Sequence, residues 1–154
     1  MSGPARKTPG THASVVAIGE TGVLIVGNSG SGKSRLALAL IAEAARRGVF
    51  ARLVGDDRML IAAANGRVLA RPHPAIAGLI EERGAGLHRL DHEPAARLTC
   101  CVNLVAGNPV RLPEPATERH EAAGISLPRL TLRTSIGPDE GARRVLAFLE
   151  RLGA

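Results

Sequence analysis

The chain has 154 residues, of which 45% are hydrophobic and 22% are charged. These values are typical of one compact domain with its own core, and they exclude a disordered or low-complexity protein. No apolar stretch reaches the roughly 20 residues that span a bilayer, and no apolar segment follows the charged N-terminus, so we expect neither a membrane anchor nor a secretory signal. The sequence therefore predicts a cytoplasmic protein, with a disordered tail at 1–11 and a single domain at 12–154.

The net charge of +6 comes almost entirely from arginine, because the 20 basic residues include only two lysines, Lys7 and Lys33. Such a surplus suits an acidic partner, a phosphate group or a nucleic acid. The arginines are scattered, however, and a chain with two Phe and no Tyr or Trp has almost no rings on which bases could stack. The composition therefore argues against a nucleic-acid partner.

The first third of the chain predicts a hairpin, a helix and a short strand. The segments are residues 14–18, 23–26, 34–46 and 53–54. A tight turn separates the first two segments, which favours a β-hairpin. Apolar residues recur at helical spacing in the third segment, and Gly48 follows it as a stop signal.

The rest of the chain mixes strand and helix signals. We expect a hairpin of 59–62 with 67–69, one or two helical turns within 75–80, a strand at 98–105, a loop at 107–115, a weak strand at 130–132 and a helix from about Asp139. The hairpin surrounds Asn65-Gly66, which tolerates positive φ. Cys100 and Cys101 are adjacent in the long strand, where side chains alternate between faces, so we expect packed thiols rather than a disulfide. The sum is a mixed α/β domain with a mixed sheet.

A glycine-rich segment lies between the second predicted strand and the first helix. It consists of Gly27, Asn28, Ser29, Gly30, Ser31, Gly32, Lys33 and Ser34. This is the pattern of a phosphate-binding loop, in which glycines let the backbone wrap a phosphate and the helix N-terminus supplies free N–H donors. Lys33 would reach the β and γ phosphates of ATP, and the Ser34 hydroxyl would ligate Mg²⁺. The alternative is a glycine-rich turn that binds nothing.

Two carboxylates, Asp56 and Asp57, follow the predicted strand at 53–54. If that strand runs parallel beside the phosphate-loop strand, both carboxylates reach the carboxyl edge of the sheet, where ligands of open α/β sheets bind. One could then orient a metal ion while the other accepts a hydroxyl proton. A surface turn without chemistry is the alternative, and the spacing leaves both interpretations open.

Four segments, taken in order, resemble the catalytic domain of the HPr kinase/phosphorylase family. They are His-Ala-Ser at 12–14, Gly-Val-Leu-Ile at 22–25 running into the glycine-rich loop, Leu-Val-Gly-Asp-Asp at 53–57 and Glu-Glu-Arg-Gly-Ala-Gly at 81–86. The resemblance extends over roughly residues 12–135. Members of this family use ATP and Mg²⁺ to phosphorylate a serine of HPr, the phosphocarrier of the sugar phosphotransferase system. Many also catalyse the reverse phosphorolysis.

The resemblance implies roles for individual residues. It implies that Lys33 binds phosphate and Ser34 binds magnesium, as the loop pattern does. It also implies that Asp57, the second aspartate of the pair, accepts the proton of the substrate serine. Glu81 would be a second metal ligand, with its neighbour Glu82 as a rival. His12 would lie near the transferred phosphate, although its spacing alone is that of a solvated loop histidine.

The chain also departs from the longer members of the family. Those members carry an N-terminal regulatory domain for which we see no room, so we expect a short form with the catalytic domain alone. We find no counterpart of the Pro-Gly-Arg-Asn-type loop that serves phosphorolysis, because residues 132–137 read Leu-Arg-Thr-Ser-Ile-Gly. The sequence therefore leaves open whether this chain catalyses the reverse phosphorolysis. A small-molecule kinase and a non-catalytic nucleotide sensor remain alternatives, and the sequence leaves homo-oligomer formation open.

Overall fold

The computed structural model describes residues 10–82, 84–106 and 118–153. Within these ranges the chain forms ten β-strands, two α-helices and two short 3-10 turns. The strands are β1 Ser14–Ile18, β2 Thr21–Gly27, β3 Ala51–Gly55, β4 Met59–Ala64, β5 Arg67–Pro72, β6 Leu79–Glu82, β7 Gly86–Arg89, β8 Ala96–Val105, β9 Arg119–Ala122 and β10 Ile125–Arg133. The helices are α1 Lys33–Arg46 and α2 Pro138–Arg151, and the turns are Pro74–Ile76 and Thr134–Ile136.

The main sheet has the strand order β3-β1-β2-β8-β10-β9. Strands β2, β8 and β10 are parallel, whereas β1 runs antiparallel to both β2 and β3. Strand β3 is therefore parallel to β2, but β1 lies between them. The condition stated for the two aspartates is thus met in direction and not in adjacency. The β4–β5 hairpin joins the sheet through β5 and β8, and β6 pairs with β7 separately. Strands β2, β3, β8 and β10 thus end at one edge.

The core has two layers because both faces of the sheet are apolar. The helix-side layer includes Ile25, Leu36, Val102, Leu132 and Phe148. The opposite layer includes Val15, Leu24, Met59, Cys101 and Leu127. This alternation along each strand also separates the two free cysteines, whose burial raises the pKa of each thiol to about 12.

Most of the predicted elements are confirmed, including the fold class of a mixed α/β domain. The hairpin β1–β2 leads into the glycine-rich loop, α2 closes the described chain, and Asn65 and Gly66 turn the β4–β5 hairpin with φ of 54° and 75°. Of the helical turns predicted within 75–80, the structure has only the 3-10 turn Pro74–Ile76, and the prediction is wrong for the residues after it. There Gly78, with φ of 79°, ends the turned segment, and β6 begins at Leu79 to pair with β7.

Two predicted irregular segments lie wholly or partly outside the described residues. Residues 1–9 of the expected tail and the expected loop at 107–115 lie outside the described residues. Thr11, placed in the tail by the prediction, forms two backbone hydrogen bonds with Met59, of 2.8 and 2.9 Å. The weak strand predicted at 130–132 is part of the longer strand β10. The residues of β10 up to Pro128 pair with β9, and the residues after it pair with β8. No helix in the described ranges has the length and hydrophobicity to cross a membrane.

Candidate functional site

The glycine-rich loop connects β2 to α1 at the carboxyl edge of the sheet. Gly32 is the N-cap residue of α1 and takes φ of 98°, a conformation that glycine adopts without strain. At Gly27 a Cβ atom would lie 2.6 Å from Ser31 Oγ, so only glycine permits this close approach. The hydrogen bond from Leu36 N to Gly32 O, 2.9 Å, begins the helical ladder. The preceding N–H groups are therefore free of intrahelical partners and available to an anion.

The side chains of the loop add further donors. Lys33 Nζ donates to Gly27 O at 2.9 Å and to Asn28 O at 3.1 Å, so its ammonium group lies against the loop backbone. Ser31 Oγ is buried and has no hydrogen-bond partner within the described part of the chain. A buried hydroxyl without a partner is costly unless a ligand supplies one. These donors fit the phosphate groups of a nucleotide.

Asp56 lies at the centre of a buried set of contacts, which we call the inner network. Its carboxylate accepts hydrogen bonds from Ser34 Oγ, at 2.9 and 2.8 Å, and from Ser14 Oγ at 2.5 Å. The backbone N–H of Glu81 donates to the same carboxylate at 3.4 Å. Asp56 itself is 5% exposed. The inner network therefore links the start of α1 to β1, to the end of β3 and to β6.

Asp57 and His12 form a second, exposed contact, which we call the outer pair. His12 Nδ1 lies 3.3 Å from Asp57 Oδ1, and the two side chains are 75% and 67% exposed. Asp57 takes φ of 71°, which Asp and Asn tolerate better than other side chains do. This backbone turn gives consecutive aspartates different surroundings. Asp57 is thus accessible to a second molecule, whereas Asp56 is not.

The two candidate glutamates of β6 also differ in their surroundings. Glu81 is exposed, and its backbone contacts the inner network. Glu82 is half-buried, and its Oε1 lies 3.1 Å from Nε2 of His88 on β7. Neighbouring side chains of a strand point to opposite faces, so the two carboxylates do not share one site. This arrangement favours Glu81 over Glu82 as a metal ligand.

The oxygen donors of the inner network suit Mg²⁺ in particular. Mg²⁺ in nucleotide sites usually takes one or two protein oxygens and completes its shell with phosphate and water. Ser34 Oγ and the Asp56 carboxylate provide such oxygens. Within residues 10–82, 84–106 and 118–153, no three His, Cys, Asp or Glu side chains form a ready-made metal cluster. The donor set therefore fits an ion held jointly with a nucleotide.

The structure brings the residues predicted from the sequence to one edge of the sheet. The surface-turn interpretation is wrong for Asp56, which is buried. Sequence reasoning missed the contact of Ser14 with Asp56, although a serine at the start of an apolar strand was a signal. It also missed that β1 supplies a partner to each aspartate: Ser14 to Asp56 and, just before the strand, His12 to Asp57. The catalytic roles of these residues stay predictions.

Comparisons with known proteins identify curated relatives of part of this chain. An HPr kinase/phosphorylase of Mycoplasma mycoides subsp. mycoides SC is 42% identical over 76 residues, which are 49% of this chain and 22% of that protein. One from Clostridium beijerinckii is 40% identical over 76 residues, covering 49% of this chain and 23% of that protein. The matched segment thus spans less than a quarter of the length of these curated relatives.

Similarity of fold extends over nearly the whole chain. The structure of an HPr(Ser) kinase/phosphatase from Coxiella burnetii matches with a TM-score of 0.75 and 24% identity, covering 94% of this chain and 98% of that one. The family model of the HPr serine kinase C-terminal domain matches residues 5–92, a segment that contains every candidate site residue. Because this match covers more than half of the sequence, the chain belongs to the HPr serine kinase C-terminal domain family.

Proposed function

We propose that this chain is an ATP-dependent protein kinase that phosphorylates a serine of an HPr-type phosphocarrier. The observation that carries the proposal is the contact of Ser34 with Asp56, which holds the Asp56 carboxylate beside the glycine-rich loop at the start of α1. The curated relatives named above support the choice of substrate, since they are HPr kinase/phosphorylases. We place the reaction in the cytoplasm, a reducing compartment that suits the two free thiols.

The glycine-rich loop would hold the phosphates of ATP. Its free N–H groups and the positive end of the α1 dipole attract the anionic chain. Lys33, already positioned against the loop backbone, would contact the β and γ phosphates and stabilise charge in the transition state. These contacts position the γ-phosphoryl group for transfer.

The inner network would hold magnesium. Ser34 would provide a hydroxyl ligand, Asp56 would fix the orientation of that hydroxyl, and Glu81 would approach from β6 as a second protein ligand. When bound, Mg²⁺ would neutralise negative charge on the phosphates of the nucleotide. The three donors to Asp56 keep its carboxylate in one orientation, so the serine hydroxyl is held ready for the metal.

The outer pair would activate the acceptor. A seryl hydroxyl is a weak nucleophile at neutral pH, and an accessible carboxylate can accept its proton while the new bond forms. The serine oxygen bonds to the γ-phosphorus, the bond from that phosphorus to the bridging oxygen breaks, and ADP leaves. The hydroxyl proton moves to Asp57. His12, 3.3 Å away, would orient the Asp57 carboxylate toward the acceptor.

A transfer assay with radiolabelled ATP tests this function. We expect the purified chain with Mg²⁺ to label an HPr-type carrier on one serine, and to leave unlabelled the carrier in which that serine is replaced by alanine. Label on small hydroxyl compounds but not on the carrier would indicate a small-molecule kinase. ATP binding without transfer to any acceptor would indicate a sensing module, and either result contradicts the proposal.

A further inference from the structure

The β6–β7 ribbon presents one face to the core and the other to solvent. Ile80 of β6 is 1% exposed and belongs to the helix-side layer of the core. Glu81 and Leu87 pair across the two strands and lie on the opposite face, because neighbouring side chains of a strand alternate. We call this opposite face the outer face of the ribbon.

Leu87 is the most exposed large hydrophobic residue in the described part of the chain, at 66%. A single exposed leucine is ordinary on a protein surface, so its exposure alone indicates no function. Its position is informative, however, because Leu87 is directly opposite Glu81, and residues in that relation have Cβ atoms roughly 5 Å apart. An exposed apolar side chain therefore lies beside the proposed metal ligand.

The outer face of the ribbon is continuous with the candidate site. The backbone N–H of Glu81 donates to Asp56 at 3.4 Å, and the next residue, Asp57, is the proposed proton acceptor. An acceptor serine must reach Asp57, whose side chain is 67% exposed. A folded protein that delivers this serine covers far more than the serine itself, since a standard interface buries roughly 800 Å² on each partner. The outer face adjoins the place of transfer and falls within such an area.

A cation borders the exposed leucine. Arg89 lies two residues after Leu87 on β7, so it shares the outer face, and it is exposed. The ion pairs of the described ranges do not include Arg89. An apolar side chain beside a cation suits a partner surface on which an apolar group lies next to a carboxylate.

The ribbon is held at its base, so its outer face is a fixed surface. Leu90 N donates to Gly78 O at 2.8 Å and closes the base of the ribbon. On the inner face Ile80 is packed in the core, and Glu82 Oε1 lies 3.1 Å from His88 Nε2. A surface that is ordered beforehand loses less conformational entropy when a partner binds.

We propose that the outer face of the β6–β7 ribbon, centred on Leu87, is a docking surface for the carrier protein that brings the acceptor serine. Leu87 packs against an apolar side chain near that serine, and Arg89 faces a carboxylate of the carrier. The inference rests on the proposed function in taking the carrier as the acceptor. It gives the ribbon a part in selecting a folded carrier over a small hydroxyl compound.

Binding of an HPr-type carrier whose acceptor serine is replaced by alanine tests the proposal without any transfer. Calorimetry with Mg²⁺ and ADP present compares the wild-type chain with two variants. We expect Leu87→Ser to weaken carrier binding by about tenfold, the effect of exposing a buried leucine side chain, and to leave ADP binding unchanged. Leu69→Ser is the matched control, because Leu69 is 40% exposed and pairs with Arg97 near the start of β8, at the opposite edge of the sheet.

Transfer kinetics with the unaltered carrier give a second measurement. We expect Leu87→Ser to raise the KM for the carrier by about tenfold and to keep kcat, because docking precedes the chemical step. A fall in kcat with an unchanged KM for the carrier would contradict a docking role.

Other results would also overturn the proposal. They are a Leu87→Ser variant that binds the carrier as the wild-type chain does, and a Leu69→Ser variant that loses as much affinity. Self-association of the wild-type chain in sedimentation, abolished by Leu87→Ser, would assign the outer face to a second copy of the chain instead.

Hydrogen exchange on the wild-type chain decides the question even if Leu87→Ser does not fold. We expect the bound carrier to slow exchange of the amides at 86–89, and unchanged exchange there contradicts the proposal. A wild-type chain that binds the carrier through this face but transfers no phosphoryl group contradicts the proposed function alone.

Discussion

The inner network and the outer pair differ in burial and in partners, although consecutive residues supply their carboxylates. Asp56 is 5% exposed and accepts hydrogen bonds from two hydroxyls and one backbone N–H. The side chain of Asp57 is 67% exposed and has a single contact of 3.3 Å, with His12. The comparison shows that adjacent identical residues can have different surroundings where the backbone takes a positive φ, 71° at Asp57. One carboxylate is held by three donors inside the site, and the other is open to solvent.

The antiparallel strand β1 makes this division possible. It lies between the loop strand β2 and the aspartate strand β3, so its N-terminal end reaches the same edge as their carboxyl ends. Ser14 then contacts the buried carboxylate and His12 the exposed one. A sheet with β3 directly beside β2 would supply neither partner. The inserted strand therefore belongs to the site as much as the loop does.

The largest expected effect comes from Lys33, whose ammonium group lies against the backbone of the glycine-rich loop. Lys33→Ala removes the ammonium group of the loop, so we expect phosphoryl transfer to fall to background and ATP binding to weaken. Radiolabel transfer and calorimetry measure the two effects. Arg46→Ala is a suitable control, because Arg46 is an exposed cation in the last turn of the same helix, paired with Glu43 at 3.2 Å. Wild-type turnover in Lys33→Ala would contradict the loop assignment.

Asp57→Asn affects the outer pair alone. The substitution keeps the shape of the side chain and tolerates the left-handed backbone, but it removes the carboxylate that we propose as the proton acceptor. We expect transfer to a carrier serine to fall by about 10² to 10⁴ while ATP affinity changes little. Single-turnover experiments measure the fall in the transfer rate, and ATP titrations measure the affinity. An equal fall in rate and in ATP affinity would show that Asp57 belongs with the binding residues.

Asp56→Asn should affect the inner network and the fold together. An amide nitrogen in place of one carboxylate oxygen leaves a donor without its acceptor: the Ser14 hydroxyl if Oδ1 is replaced, or the backbone N–H of Glu81 if Oδ2 is replaced. We expect the free energy of unfolding to fall by about 1 to 3 kcal/mol and the Mg²⁺ requirement of transfer to rise. Urea denaturation and Mg²⁺ titration measure the two effects. Unchanged stability would show that these hydrogen bonds do not support the fold.

The neighbouring glutamates offer a matched pair of substitutions on β6. We expect Glu81→Gln to raise the Mg²⁺ concentration needed for half-maximal transfer, since it removes the negative charge of the proposed metal ligand, whose backbone N–H contacts Asp56. Glu82→Gln should leave that concentration unchanged, because Glu82 contacts His88 instead. The reverse pattern would assign the metal ligand to Glu82.

The smallest effect is expected from Ser14→Ala. It removes one of the donors to Asp56 but leaves the contacts from Ser34 and from the Glu81 backbone in place. We expect a loss of about 1 kcal/mol in the free energy of unfolding and a smaller rise in the Mg²⁺ requirement than in Asp56→Asn. A variant with wild-type values in both measurements would remove Ser14 from the inner network.

The sequence predicts the local parts of this structure better than the non-local ones. The turn at Asn65-Gly66, the glycine-rich loop and both helices follow from short-range signals. Strands β6, β7 and β9 are short and lack the alternation that marks a strand on its own. The insertion of β1 between β2 and β3 depends on pairing between distant segments, so Ser14 could not be matched with Asp56 beforehand.

A magnesium titration of the transfer rate, at saturating ATP, tests the division between the two carboxylates most directly. It compares the wild-type chain with Asp56→Asn and Asp57→Asn. We predict that Asp57→Asn lowers the maximal rate and keeps the wild-type half-saturating Mg²⁺ concentration, whereas Asp56→Asn raises that concentration. Two results would contradict this account: both variants change the same parameter to the same extent, or Asp57→Asn is the variant that raises the Mg²⁺ requirement. Either result would show that the two carboxylates do not have separate roles, one toward the metal and one toward the acceptor.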